Sequence, residues 1–210
     1  MTRQDHASGG KAVVLLHGRG GSSSEMLALL THAALDHTTA IAPQAPHQSW
    51  WPTSFLAPQA QMERPLHSAL EAVDDAVAKL AARGFSRDKI FLCGFSQGAC
   101  LALEAYARGG DGLGGVLAFS GGLIGTSDKG PAEESLYGYS DKSFEYPGRR
   151  TGRVWISVHN HDPHIPLKRA QDSARTLEDM GSDVTFKLYP GRGHALMQDD
   201  LAALRAFLAH

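Results

Sequence analysis

Residues 89–107 read KIFLCGFSQGACLALEAYA, and the architecture follows from them. Residues 89–93 form a short Ile-, Phe- and Leu-containing run, the composition of a strand buried on both faces. Residues 97–107 read as a helix. Between the two stands Gly94-Phe95-Ser96-Gln97-Gly98. A strand that turns straight into a helix forces the residue at the turn into strained backbone angles and leaves no space beside it. Glycines at 94 and 98 remove the clash and raise the Ser96 hydroxyl above the end of a sheet. The helix start supplies backbone N–H groups for a developing anion. A harmless serine in a glycine-flanked turn is the plainer reading of the pentapeptide taken alone; the strand before it and the helix after it favour a nucleophile.

The pattern repeats outward from this turn. Further buried-strand runs lie at 12–16 (AVVLL), 39–42, 115–119 and 153–158, and residues 183–189 alternate Val184, Phe186 and Leu188. Helical spacing appears at 25–35, at 167–180 (closed by Gly181) and at 195–209. Leu66, Leu70, Val73, Val77 and Leu80 step by threes and fours, the stripe of an amphipathic helix. Pro65 suits its first turn and Gly84 the position past its end. Strands alternating with helices predict an α/β fold: a mainly parallel sheet of about six core strands, helices on both faces, and ligands beyond the carboxyl ends of the strands. The 210 residues read as a single domain spanning 1–210, since one domain commonly takes about 150. Residues 1–11 are polar and expected to be flexible. Residues 125–152, rich in glycine, serine and charge, read as an irregular insert near the site.

Composition removes several classes of function. Twenty Lys and Arg against 22 Asp and Glu leave no basic footprint for nucleic acid and no polybasic membrane patch. No apolar run reaches the roughly 18 residues of a membrane span. No apolar signal segment is visible, and two cysteines, Cys93 and Cys100, make no disulfide framework. The expectation is a reduced, cytoplasmic protein.

A serine nucleophile needs a base, and the base a carboxylate. The loop after the last strand reads Pro190-Gly191-Arg192-Gly193-His194, so His194 is the candidate base. After the strand at 153–158 come His159-Asn160-His161-Asp162-Pro163-His164-Ile165-Pro166. Asp162 is the only carboxylate there and the candidate acid, although an Asp-Pro turn is the plainer reading. The chain order Ser96, Asp162, His194 is that of an α/β-hydrolase. For an oxyanion hole the candidates are the backbone N–H of Gln97 and, from His17-Gly18-Arg19-Gly20-Gly21 after the first strand, that of Arg19. The phosphate-binding patterns G-x-G-x-x-G and G-x-x-x-x-G-K-[ST] are absent. His159, His161, His164 and His194 invite a metal, but other strand ends offer serine and glycine rather than ligands, so none is expected. Trp50, Trp51 and Phe55, in a Pro-rich loop, read equally as an apolar wall for substrate or as residues folded onto the core.

The segments LLHGRGG (15–21), APQAPHQSWWPTSF (42–55), GFSQGACLAL (94–103), FSGGL (119–123), DPHIP (162–166) and YPGRGHAL (189–196) resemble the phospholipase/carboxylesterase family of small serine α/β-hydrolases, which includes acyl-protein thioesterases. The resemblance covers nearly the whole chain. It implies serine-dependent hydrolysis of carboxylic esters by Ser96, Asp162 and His194, without metal or organic cofactor, and small to medium esters are the expected substrates. Thioesterase or lysophospholipase action on longer acyl chains is the alternative, and a non-catalytic binding module the reading from another class. The chain begins almost at its first core strand, so the extra N-terminal strands of larger relatives are expected to be absent, as is a full cap domain. A homodimer burying part of the aromatic loop is compatible with the sequence.

Overall fold

The run at 12–16 is apolar at every position because it lies inside the sheet and meets helices on both sides. A computed structural model of the chain describes residues 2–3, 10–127 and 143–209. Its elements are β1 (Thr2–Arg3), β2 (Ala12–Leu16), α1 (Ser23–His32), β3 (Thr39–Ile41), α2 (Gln59–Ala81), β4 (Ile90–Phe95), α3 (Gln97–Gly109), β5 (Gly115–Phe119), β6 (Arg153–His159), α4 (Leu167–Asp179), β7 (Asp183–Tyr189) and α5 (Gln198–Leu208). The sheet order is β1-β3-β2-β4-β5-β6-β7. Neighbours from β3 to β7 are parallel, so six parallel strands form the core of an α/β-hydrolase fold.

Alternation along each strand divides the interior into two layers. Ala12, Val14, Leu16, Ile90, Leu92, Val116 and Val154 pack under α2, α3 and α4. Val13, Leu15, Phe91, Cys93, Leu117 and Phe119 pack under α1 and α5. Each fully buried aliphatic side chain contributes about 1.5–3 kcal/mol. The strand order reverses between β2 and β4, which places the loop after β2 and the turn after β4 side by side at one crevice. Such a reversal is where open α/β sheets bind ligands.

Two expectations need correction. A seventh strand, β1, lies within the polar leader, pairing antiparallel with β3 through Thr2↔Ile41 and Arg3↔Ala40. Two residues carry no periodicity that a sequence could show; backbone pairing along the open edge of β3 recruits them. The amphipathic helix begins not near Pro65 but at Gln59, which leaves Pro65 inside it. Buried Met62 extends the apolar stripe by a turn, with Thr53 Oγ1 donating to its sulfur at 3.1 Å. A Pro58–Thr126 bridge, together with the Gln59 N–H donating to Thr126 O, anchors the helix start. Of the insert at 125–152, residues 128–142 lie outside the described residues. Its flanks are tied down: the Gly125 N–H donates to Phe55 O at 2.6 Å and the Tyr146 hydroxyl to Glu104 Oε2 at 2.9 Å.

Candidate active site

Ser96 has φ 54° and ψ −118°, a conformation that costs a non-glycine residue about 1–3 kcal/mol. It stands between the end of β4 and the first residue of α3. Its N–H donates to Phe119 O (2.9 Å), and its carbonyl accepts from Cys100 N–H (3.0 Å). A Cβ on Gly94 would overlap the Gly98 carbonyl, and one on Gly98 would overlap Leu16 O. The elbow therefore closes only with hydrogen at both positions, because backbone atoms rather than flexible side chains occupy the space.

His194 lies in the loop between β7 and α5, and Asp162 in the loop after β6. His194 Nε2 is 2.8 Å from Ser96 Oγ, and Nδ1 is 2.8 and 3.0 Å from the two Asp162 carboxylate oxygens. The side chain of Asp162 is fully buried. Its Oδ1 also accepts the N–H groups of His164 (2.8 Å) and Ile165 (3.0 Å). Burial by itself would raise the Asp162 pKa, but the hydrogen bonds from His194, His164 and Ile165 outweigh it and hold the carboxyl below its ordinary range. Three side chains up to 98 positions apart thus form one hydrogen-bonded line.

Gln97 opens α3, so its N–H is one of the helix's first donors without an intrahelical acceptor. The N–H groups of Gly20 and Gly21 donate to Gln48 O and Gly18 O. Among the described residues the N–H of Arg19, which precedes both, has no backbone acceptor. The loop that carries it is pinned by His17, a contribution the sequence reading missed. His17 Nε2 accepts the Ala45 N–H at 3.0 Å, which leaves Nδ1 as the protonated nitrogen, 2.7 Å from Gly18 O. The Arg19 guanidinium donates to Pro52 O (2.8 Å) and Thr53 O (2.5 Å).

A cleft of about 500 Å³ opens over Ser96 and His194, with Phe55, Phe95, Cys100, His164 and Ile165 in its walls. Of the three aromatics expected to form its wall, only Phe55 does so. Trp50 and Trp51 are buried in the core instead. The Gln97 side chain holds both by their backbones, accepting from Trp50 N–H (3.0 Å) and donating to Trp51 O (2.8 Å). The Trp50 indole N–H donates to His17 O at 2.9 Å, so Trp50 props the loop after β2.

His164 packs edge-on against His194, with ring centroids 4.7 Å apart; its sequence position beside Asp162 was the only signal of this. His159 is buried against Tyr189, and His161 is exposed. Among the described residues no group of three or more His, Cys, Asp or Glu side chains is placed to hold a metal ion. Cys93 and Cys100 are buried, which pushes both thiols upward, Cys100 to about 12. Neither thiol is a thiolate near neutral pH. No described helix is long and apolar enough to cross a membrane.

Residues 3–134, which contain the elbow and the loop after β2, match the sequence model described as Phospholipase/Carboxylesterase. The chain belongs to the phospholipase/carboxylesterase family. A crystal structure of a family member from Dyadobacter fermentans DSM 18053 is 38% identical, with a TM-score of 0.78 over 95% of this chain and 90% of that one. Acyl-protein thioesterase 1 of Gibberella zeae is 31% identical over 125 residues, 60% of this chain and 49% of its own. A probable carboxylesterase of Oryza sativa subsp. japonica is 28% identical over 154 residues, 73% of this chain and 60% of its own. The chain thus spans about half to three fifths of the length of these two curated relatives. In this phospholipase/carboxylesterase chain, Asp162 and His194 lie beyond the matched residues, and the fold brings them to the elbow.

Proposed function

We propose that the protein is a serine carboxylesterase acting on small to medium esters through an acyl-enzyme. The observation that carries the reading is the 2.8 Å contact between His194 Nε2 and Ser96 Oγ, with the other face of the imidazole held by buried Asp162. His194 takes the Ser96 proton as Oγ attacks the ester carbonyl, and Asp162 orients the ring and stabilises its cation. The new oxyanion accepts the Arg19 and Gln97 N–H groups. His194 then protonates the leaving alcohol, and a water activated by the same imidazole releases the acid. The walls of Phe55, Phe95 and Ile165 bury the acyl or alcohol carbons.

A panel of nitrophenyl esters of rising chain length tests the reading. Activity is expected at short and medium chains, and Ser96→Ala is expected to lower kcat by about 10⁴-fold or more. Hydrolysis at full rate by Ser96→Ala would reject the mechanism. Thioester hydrolysis is the second reading, favoured by the likeness to a protein named acyl-protein thioesterase 1. The same panel made as thioesters separates the two by kcat/KM.

A further inference from the structure

We infer that Asp200, outside the reacting constellation, is the residue that positions the base: its one buried carboxylate holds together both ends of the loop that carries His194. That loop leaves β7 after Tyr189 and enters α5 at Met197. Asp200 Oδ1 accepts the Tyr189 hydroxyl at 2.9 Å and Oδ2 accepts the Met197 N–H at 2.9 Å. Oδ1 also accepts the Trp155 indole N–H at 3.0 Å. Trp155 lies on β6, the strand that runs on into the Asp162 loop. The carboxylate thus joins the strand that delivers the acid to both ends of the loop that delivers the base.

Helix capping accounts for only one of these contacts. The Met197 N–H on Asp200 is half of a capping box at the start of α5; Trp155 and Tyr189 have no part in it. All three partners donate, so the position needs acceptors only, which a carboxylate provides and an amide does not. Burial, and then the nearby Asp200, push the Tyr189 phenol upward, so it keeps the proton it donates.

Packing continues this bracing to the base itself. The Tyr189 ring backs the His159 imidazole at 5.4 Å between centroids. That imidazole lies against Gly193, where a Cβ would stand 2.7 Å from it. Gly193 is the residue before His194. Freeing the Tyr189 end of the loop therefore loosens the surface against which the base is set. A catalytic group misplaced by about 1 Å costs up to about 100-fold in rate.

The inference rests on the esterase reading, and its test separates the two. Asp200→Asn turns an amide N–H₂ toward one of the three donors, and Tyr189→Phe, the milder variant, removes a single hydroxyl. Both are compared with wild type for hydrolysis of 4-nitrophenyl acetate and for the rate of Ser96 labelling by a fluorophosphonate. The downfield proton resonance of His194 Nδ1–H against Asp162, identified by its loss in His194→Gln, is followed alongside. Expected for Asp200→Asn are kcat and labelling rate lowered together by about tenfold, KM within about twofold, and a broadened resonance. Tyr189→Phe is expected to show the same pattern at a few-fold loss, and to add little when combined with Asp200→Asn. Folded variants with wild-type kcat and an unchanged resonance would reduce Asp200 to a helix cap. If Asp200→Asn does not fold, Tyr189→Phe decides. If wild type neither hydrolyses nor labels, the esterase reading fails, while the resonance still judges the brace.

Discussion

The Asp162 side chain has no solvent-facing surface, yet its carboxyl is held below the ordinary range by three donors. A depressed folded-state pKa means that the folded state favours the ionised form. The resulting stability is fully present above the ordinary value of 3.8 and is lost as pH falls through the lower, folded value. The difference in urea midpoint between wild type and Asp162→Asn is therefore expected to be constant from about pH 5 to 8 and to shrink below about pH 4. A difference that stays constant through the acid range would contradict the bonding described for this side chain. At neutral pH the same variant should lose about 10⁴-fold in kcat, because an amide no longer selects the required imidazole tautomer.

The turn from β4 to α3 and the aromatic loop each make a separate prediction. Gly98→Ala sets a methyl against the Leu16 carbonyl of β2, where neither backbone can yield without moving a strand. A loss of about 1–3 kcal/mol in stability is expected, with kcat falling as Ser96 is turned from His194. Stability and kcat unchanged in Gly98→Ala would mean the elbow has slack that the geometry denies. Trp50 is a core residue that props the loop after β2, so Trp50→Ala is expected to cost about 3–5 kcal/mol by thermal or urea unfolding. Phe55 lines the cleft, so Phe55→Ala is expected to move the ester chain-length optimum upward in kcat/KM. If Trp50→Ala shifted chain-length preference with little loss of stability, the division between these aromatics would be wrong.

Glu104 shows how the packed molecule employs a residue that no motif marks. It is fully buried on α3 and accepts Arg108 Nε (2.7 Å), Ile124 N–H (3.0 Å) and the Tyr146 hydroxyl (2.9 Å). It thereby ties both flanks of the insert to the helix that begins directly after Ser96. Glu104→Gln is expected to lower stability by about 1–3 kcal/mol, since an amide N–H₂ must face a donor. A melting temperature equal to wild type would show that the flanks are held elsewhere. The burial at Glu104 could not be read from a helical stripe, because a Glu four residues before an Arg looks like an exposed pair.

Local chemistry alone determined the parallel core and the candidate triad. Strands buried on both faces must be apolar at every position, and a strand-to-helix elbow needs small residues on each side of its serine. Ser96, Asp162 and His194 were legible because each follows a strand end, and strand ends converge in a parallel sheet. Only the tertiary structure decided what has no periodicity or composition: the pairing of Thr2–Arg3 with β3, Trp50 and Trp51 in the core beside Phe55 at the cleft, and Asp200 bonded to both ends of the loop that carries His194. Those outcomes depend on which backbone donors and packing spaces remain once distant segments meet, a quantity that no single stretch of residues contains.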